Sequence, residues 1–131
     1  MDRPELTRIE LESAFGLDAP KRHSYFVKRV ADWEVAWGLG QDSWALVADD
    51  DGRVAFPLWP AAEFAAVCAR DSFAGAVPER VGLSDLLHEL LINLERDGLL
   101  VAVFPTPSNK GMLESPLALA KSLNQELRNY E

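Results

Sequence analysis

Cysteine and histidine are scarce in this sequence, which has one cysteine and two histidines. A single cysteine excludes an intramolecular disulfide, and so few Cys and His residues exclude the usual structural zinc sites. No apolar run approaches the roughly 20 residues that span a membrane, and the charged start, MDRPELTRIELES, lacks the apolar segment of a signal peptide. The sequence therefore predicts a soluble, cytoplasmic protein with no metal, cofactor or membrane segment.

Basic residues are the minority among the charged ones, with 13 Lys and Arg against 21 Asp and Glu and a net charge of -8. The basic residues are scattered, so the net charge would repel a phosphate backbone and argues against nucleic acid as a partner. An acidic excess favours a basic protein partner, and it is also an ordinary way to stay soluble.

Length and apolar content predict one domain. The 131 residues, 48% of them hydrophobic, can build a single core but not two. We expect residues 1–131 to form this domain, with residues 1–15 either packed on it or extending from it as a short helix. The oligomeric state does not follow from these patterns.

Helical periodicity predicts five helices. Asp2 and Glu5 have the spacing of a capping box at the start of the first, over residues 2–15. Apolar residues at helical spacing define the other four. These stripes are Phe26, Val30 and Trp33 after Pro20; Phe64, Val67 and Cys68 after Pro60; Leu83, Leu86, Leu87, Leu90, Leu91 and Leu94 before Gly98; and Leu117, Ala120, Leu123, Leu127 and Tyr130 after Ser115-Pro116.

Strand patterns predict four strands. Alternation over residues 35–58, interrupted by Asp49-Asp50-Asp51-Gly52, indicates an antiparallel meander of three strands. Residues 70–82 carry Gly and Pro and suggest a loop, whereas the apolar run 99–104 suggests a strand covered on both faces and central in the sheet. The predicted fold is α+β, in the order α-α-β-β-β-α-α-β-α, with a mainly antiparallel four-stranded sheet.

Several short motifs resemble a bacterial protein family catalogued as domain of unknown function 2750. They are Trp37-Gly38-Leu39, Pro57-Leu58-Trp59-Pro60, Asp97-Gly98, Val103-Phe104-Pro105-Thr106-Pro107 and Lys110-Gly111. The resemblance covers about residues 22–130 and departs at Phe73, where the family tends to carry tryptophan. It implies the same order of elements and no particular activity.

Tryptophans are the first candidates for a binding surface. Trp37, Trp44 and Trp59 fall on or beside the predicted sheet, where they could line a groove for a peptide or small ligand. The alternative is that they fill the core between sheet and helices, which we favour. Trp59 is then the expected exception, because prolines on both sides hold it at the boundary of an element.

The segment 105–111 is the second candidate. It is predicted to join the central strand to a helix, and Thr106, Ser108, Lys110 and Gly111 could together hold an anion near the helix N-terminus. The spacing of a P-loop is missing, and the alternative is a stiff connection with a solvated lysine. We predict a ligand site formed by these four residues and Trp59.

Other reactive residues give no pattern of catalysis or metal binding. The run from Asp49 to Asp51 lacks the spaced ligands of an EF-hand and indicates a charged hairpin tip. His23 and His88 are isolated from any nucleophile, so both are expected at the surface. Cys68 lies on an apolar stripe and is expected to be a buried, inert thiol.

Two functions from different classes remain open. The first, which we favour, is a non-catalytic interaction module that binds a protein partner, as an adaptor or an immunity-type protein does. Its support is the acid excess and the lack of a catalytic constellation. The second is a small-ligand or phosphate-binding domain, enzymatic or not, with its site at Trp59 and the loop Thr106 to Gly111.

Overall fold

Five helices and six strands make up the part of the chain that a computed structural model describes, which is residues 6–40, 43–72, 75–109 and 111–130. The predicted α+β class is confirmed, and so are the five helices. In chain order the elements are α1 Arg8–Phe15, α2 Ala19–Trp33, β1 Val35–Gly40, β2 Val47–Ala48, β3 Val54–Leu58, α3 Ala62–Ser72, β4 Val77–Gly82, α4 over residues 83–96, β5 Leu100–Val103, β6 Met112–Glu114 and α5 Pro116–Leu127.

Polar caps fix where three of the helices begin. The Asp18 carboxylate accepts a hydrogen bond from the Lys21 N–H at the start of α2, and the Ser115 hydroxyl accepts one from Ala118 at the start of α5. Thr7 caps α1 in the same way. The capping box predicted at Asp2 lies outside the described residues.

The helix α4 contains a π-helical turn, Leu86–Leu90, between the α-helical segments Leu83–Asp85 and Leu91–Arg96. A 3₁₀ turn, Arg128–Tyr130, follows α5. Within the described residues, no helix combines the length and the apolar character needed to cross a membrane.

The strands form two sheets, which corrects the prediction of one four-stranded sheet. One sheet pairs β1 with β4 antiparallel, and the other has the order β2-β3-β5-β6. The predicted hairpin at the Asp-Gly turn is present, since β2 and β3 pair antiparallel, and β5 lies between β3 and β6. However, β1 does not continue the meander, and β5 runs parallel to β3.

Two strands lie in segments that we expected to be loops. The strand β4 occupies residues 77–82 and pairs with β1, and β6 occupies part of the predicted loop 105–114. A strand at the edge of a sheet tolerates proline and charged residues, and β4 contains Pro78 followed by exposed charged residues. Its sequence therefore lacks the apolar alternation by which a strand is predicted. The segment 105–111 therefore joins two strands, and not a strand to a helix.

One continuous apolar core holds the helices against the sheets. Phe26 and Val30 of α2 are fully buried in it, as predicted, and so are Phe64 of α3 and the leucines of α4 that face inward. In α5 the buried residues are Pro116, Leu119 and Leu123, whereas Leu117, which we assigned to the stripe, is exposed. Leu117 and Leu119 could each belong to an apolar face of the helix. The packing of α5 on α2 decides that Leu119 is the buried one.

The segment before α2 packs on the domain. The Phe15 ring meets the rings of Phe64 and Phe104 with centroid separations of 5.2 and 5.9 Å. The Leu6 N–H also donates to a carboxylate oxygen of Glu63 in α3, at 3.1 Å. Of the two alternatives for this segment, residues 6–15 therefore follow the packed one.

Candidate functional site

Trp59 lies beneath the loop that follows β5, and its side chain is completely buried. The indole Nε1–H donates a hydrogen bond of 2.9 Å to the carbonyl oxygen of Pro105. The Cys68 thiol, buried as predicted, donates to the same oxygen at 3.5 Å. The expectation that Trp59 is the least buried of the three tryptophans is wrong: prolines mark the element boundary but carry no information about what covers it.

The main-chain and side-chain groups of the loop 105–111 bond largely to one another. The N–H and carbonyl groups of Thr106 and Asn109 are mutually hydrogen-bonded, at 2.8 and 3.2 Å. The Ser108 N–H donates to the Thr106 hydroxyl, and the Gly111 N–H donates to the Asn109 side-chain oxygen. Lys110 lies outside the described residues. The N–H groups of Thr106, Ser108 and Gly111 are thus already engaged, and anion binding by these residues stays a prediction.

Arg22 is the buried charge under this loop, with 6% of its surface exposed. Its guanidinium donates to the carbonyl oxygens of Phe104 and Leu17, at 3.3 and 2.6 Å, and to the Asn109 side-chain oxygen at 3.4 Å. All three acceptors are neutral, so no carboxylate among the described residues offsets this charge. Sequence reasoning missed the role of Arg22, because two of its three partners, Phe104 and Asn109, lie more than 80 residues away in the chain.

The hairpin of β2 and β3, together with the segment that leads into it, carries exposed apolar residues and an acidic tip. Trp44, Leu46 and Val54 are each at least 36% exposed. The Trp44 ring lies 5.1 Å from that of Phe56 and would meet a Cβ added at Gly38, so the glycine leaves room for the indole. We call Trp44, Leu46, Val54 and the residues 49–51 the hairpin surface.

Hydrogen bonds shape the acidic tip of the hairpin. The Asp49 carboxylate accepts from the N–H groups of Asp51 and Arg53 and pairs with the Arg53 guanidinium at 2.6 Å. Partial desolvation alone would raise the pKa of Asp49, but these hydrogen bonds and the positive charge of Arg53 hold it below the ordinary value. Asp50 and Asp51 are exposed at the turn itself. The turn of the hairpin surface therefore carries negative charge in solvent.

A polar triad joins α1 to α2. The Tyr25 hydroxyl donates to a carboxylate oxygen of Glu10 at 2.8 Å, and the Arg29 guanidinium donates to the same oxygen at 2.7 Å and to the Tyr25 oxygen at 2.9 Å. Burial and the bond to Glu10 raise the pKa of Tyr25 to about 12. The Arg29 guanidinium also lies over the Trp33 ring, 4.0 Å from its centroid.

The raised pKa of Tyr25 predicts a loss of stability at high pH. In the unfolded chain a tyrosine ionises near pH 10, so between about pH 10 and about pH 12 only the unfolded state loses this proton. The free energy of unfolding should then fall as the pH rises through that window. We expect a Tyr130→Phe variant, which leaves Tyr25 as the single tyrosine, to form tyrosinate with a midpoint near pH 12 by ultraviolet absorbance.

A matched variant tests the cause of that shift. Glu10→Gln removes the negative charge that favours the protonated hydroxyl, so the midpoint should move down towards pH 10. A midpoint that is already near pH 10 with Glu10 in place would contradict the contacts of the triad.

The two histidines differ in their environments. His23 is not a free surface residue as expected: its Nε2 lies 2.8 Å from a carboxylate oxygen of Glu114 and both side chains are mostly buried, so the contact ties α2 to β6. His88 is exposed, as predicted. Among the described residues, no three side chains of the types His, Cys, Asp and Glu lie together in a way that could hold a metal ion.

Comparison with known proteins gives one match. The model of a family described as protein of unknown function (DUF2750) matches residues 23–123. This segment begins in α2, ends in α5 and includes the hairpin surface and the loop 105–111. Comparisons with curated proteins and with solved structures found no match.

Proposed function

Because the chain belongs to the DUF2750 family, whose description assigns no activity, we propose a function from the chain's own surface: a non-catalytic module that binds a basic protein partner. The observation that carries this proposal is the hairpin surface, which combines Trp44, 38% exposed, with a run of three aspartates at the tip of the hairpin. This combination fits an adaptor or an immunity-type protein, both of which act by binding another protein.

Aromatic exposure supports the proposal on energetic grounds. Tryptophan is enriched among the few residues that contribute most to the affinity of protein interfaces. Trp44 rests on Phe56 and above Gly38, so much of its indole is held in place before any partner arrives. A side chain that is already ordered loses little conformational freedom on binding. Trp44 is therefore suited to be the anchor, with Leu46 and Val54 extending the apolar area.

Charge decides which kind of partner fits. The aspartates at residues 49–51 lie at the turn of the hairpin to which Val54 belongs, and the whole chain has a net charge of -8. A partner with Lys or Arg around an apolar pocket would be attracted by long-range electrostatics. The Trp44 indole would then insert into that pocket. A partner with an acidic surface would be repelled.

The test compares two variants of the whole chain. Trp44→Ala combined with Leu46→Ser removes the apolar part of the hairpin surface, whereas Ile92→Ser removes a side chain of α4 that is 50% exposed. Each protein is used for affinity capture from cytosol, and the captured partner is then purified and its binding measured by calorimetry. We expect a basic partner that binds one-to-one, binds more weakly as salt rises, and loses at least about tenfold in affinity with the hairpin variant alone.

Two results would contradict the proposal. One is an equal loss of affinity with Ile92→Ser, which would mean that any exposed apolar residue serves. The other is a purified partner whose binding does not respond to salt. Circular dichroism of both variants checks that the fold is intact, so that a loss of binding can be attributed to the surface.

An anion site at the loop 105–111 is the alternative proposal, and Arg22 supports it. The buried guanidinium bonds to neutral acceptors at Phe104 and Asn109, so its charge is available to attract an anion to that loop. The hairpin experiment separates the two proposals, because changes at Trp44 and Leu46 would leave binding at the loop untouched.

A further inference from the structure

A cleft of about 380 Å³ opens beside α2, on the side where the 3₁₀ turn after α5 approaches it. This volume falls within the usual range for sites that bind small molecules. Half of its lining residues are aromatic and the others are charged. The cleft is lined by Tyr25, Lys28, Arg29, Asp32, Trp33 and Tyr130.

Arg29 forms a fixed part of the cleft wall. The Glu10 carboxylate neutralises its charge at 2.7 Å, and its guanidinium is stacked on the Trp33 ring at 4.0 Å. Its side chain is only 14% exposed, so it offers part of a flat surface and not a mobile charge. A planar group can stack against such a guanidinium or against the neighbouring aromatic rings.

Lys28 and Asp32 supply the charges that a ligand could meet. They lie one helical turn apart on α2, where side chains are neighbours at about 5–6 Å between Cβ atoms. Both are exposed, and neither forms an ion pair with another described residue. The cleft therefore has one positive and one negative group, both open to a ligand.

The negative end of the cleft lies near Tyr130. Partial desolvation and the carboxylates of Asp32 and Glu126 together raise the pKa of the Tyr130 hydroxyl. The Asp32 carboxylate is therefore close enough to act on the Tyr130 hydroxyl, while Lys28 also lines a second, smaller depression. The Lys28 and Asp32 side chains do not form an ion pair with each other.

We propose that this cleft binds a free aromatic amino acid. The ligand carboxylate pairs with the Lys28 ammonium, the ligand ammonium pairs with Asp32, and the ring lies against the aromatic wall of Trp33 and Tyr130. A simple anion would be repelled by the Asp32 carboxylate, and a simple cation would be repelled by the Lys28 ammonium. A zwitterion with an aromatic ring satisfies both charges and the apolar wall at once.

L-phenylalanine is the probe for a calorimetric titration of the whole chain. Two analogues each lack one charge: 3-phenylpropanoate has no ammonium, and 2-phenylethylammonium has no carboxylate. We expect saturable one-to-one binding of L-phenylalanine, with each analogue about tenfold weaker, which corresponds to the loss of one charge-assisted contact. Absence of saturable binding, or equal affinity for all three compounds, would overturn the proposal.

Variants at the two charges assign the contacts. The Lys28→Gln variant should bind L-phenylalanine no better than the unchanged protein binds 2-phenylethylammonium. In the same way, the Asp32→Asn variant should bind L-phenylalanine no better than the unchanged protein binds 3-phenylpropanoate. Both positions are exposed, so the fold should tolerate either change. Lys121→Gln removes an exposed charge of α5 outside the cleft lining and serves as the control. If this control loses as much affinity as Lys28→Gln, the contact with Lys28 is refuted.

Discussion

Replacing Trp59 with alanine should lower the free energy of unfolding by about 4 kcal/mol, the usual cost of truncating a large aromatic residue in a core. The indole is completely buried, and removing it also takes away the donor that holds the Pro105 carbonyl oxygen. Because the loop 105–111 begins at that oxygen, the damage should spread to the connection between β5 and β6. Urea unfolding followed by circular dichroism measures the loss.

Trp44→Ala is the matched control for this experiment. It removes the same side chain from a site that is 38% exposed, where the ring lies on Phe56 with one side in solvent. We expect a loss of about 1 kcal/mol, since most of the contacts of a buried indole are missing there. Equal losses for the two variants would show that the burial of Trp59 beneath the loop is wrong.

Gly111→Ala is the second change with a large expected effect, a loss of about 3 kcal/mol in the free energy of unfolding. The glycine has a φ of 85°, a conformation that costs any residue with a Cβ about 1–2 kcal/mol. An added Cβ would in addition lie 2.5 Å from the carbonyl oxygen of Val103. That oxygen belongs to the end of β5 and cannot move without disturbing the sheet.

Gly98→Ala isolates the conformational part of that loss. Gly98 has a φ of 75°, but an added Cβ would meet no atom within 4 Å. The loss should therefore be about 1 kcal/mol, and the difference between the two variants reports the contact with Val103. Thermal unfolding of both variants under the same conditions provides the comparison, and a Gly111→Ala variant as stable as Gly98→Ala would contradict the close approach.

The helices and the hairpin could be predicted from the sequence because their signals are local. Apolar spacing identified the stripe of Phe26 and Val30, Ser115-Pro116 marked the start of α5, and Asp51-Gly52 marked the turn between β2 and β3. Each of these patterns depends on residues within two turns of one another, so no knowledge of the rest of the fold is needed.

The division into two sheets could not be predicted, because it depends on partners far apart in sequence. The strand β1 pairs with β4, more than 35 residues later, and contacts the second sheet through reciprocal main-chain hydrogen bonds between Trp37 and Trp59. Strand-like alternation shows that a segment is extended but does not show which strand lies beside it.

The binding surfaces show the same limit. The prolines on both sides of Trp59 suggested that it would be the exposed tryptophan, yet Trp44 is 38% exposed and Trp59 fills the core. The cleft beside α2 also depends on a distant segment, since Tyr130 reaches it from the far end of the chain. The spacing of Lys28 and Asp32 places both on one face of α2, but no local pattern brings Tyr130 to that face.

The parallel pairing of β3 with β5 also determines the order in which the chain can complete its larger sheet on a ribosome. The hairpin of β2 and β3 closes over a few residues, whereas β5 starts 42 positions after the last residue of β3, at Leu100 after Leu58. Until that strand has left the exit tunnel, one edge of β3 stays unpaired in the nascent chain. During this interval the unpaired edge is open to pairing with another chain or to capture by a chaperone.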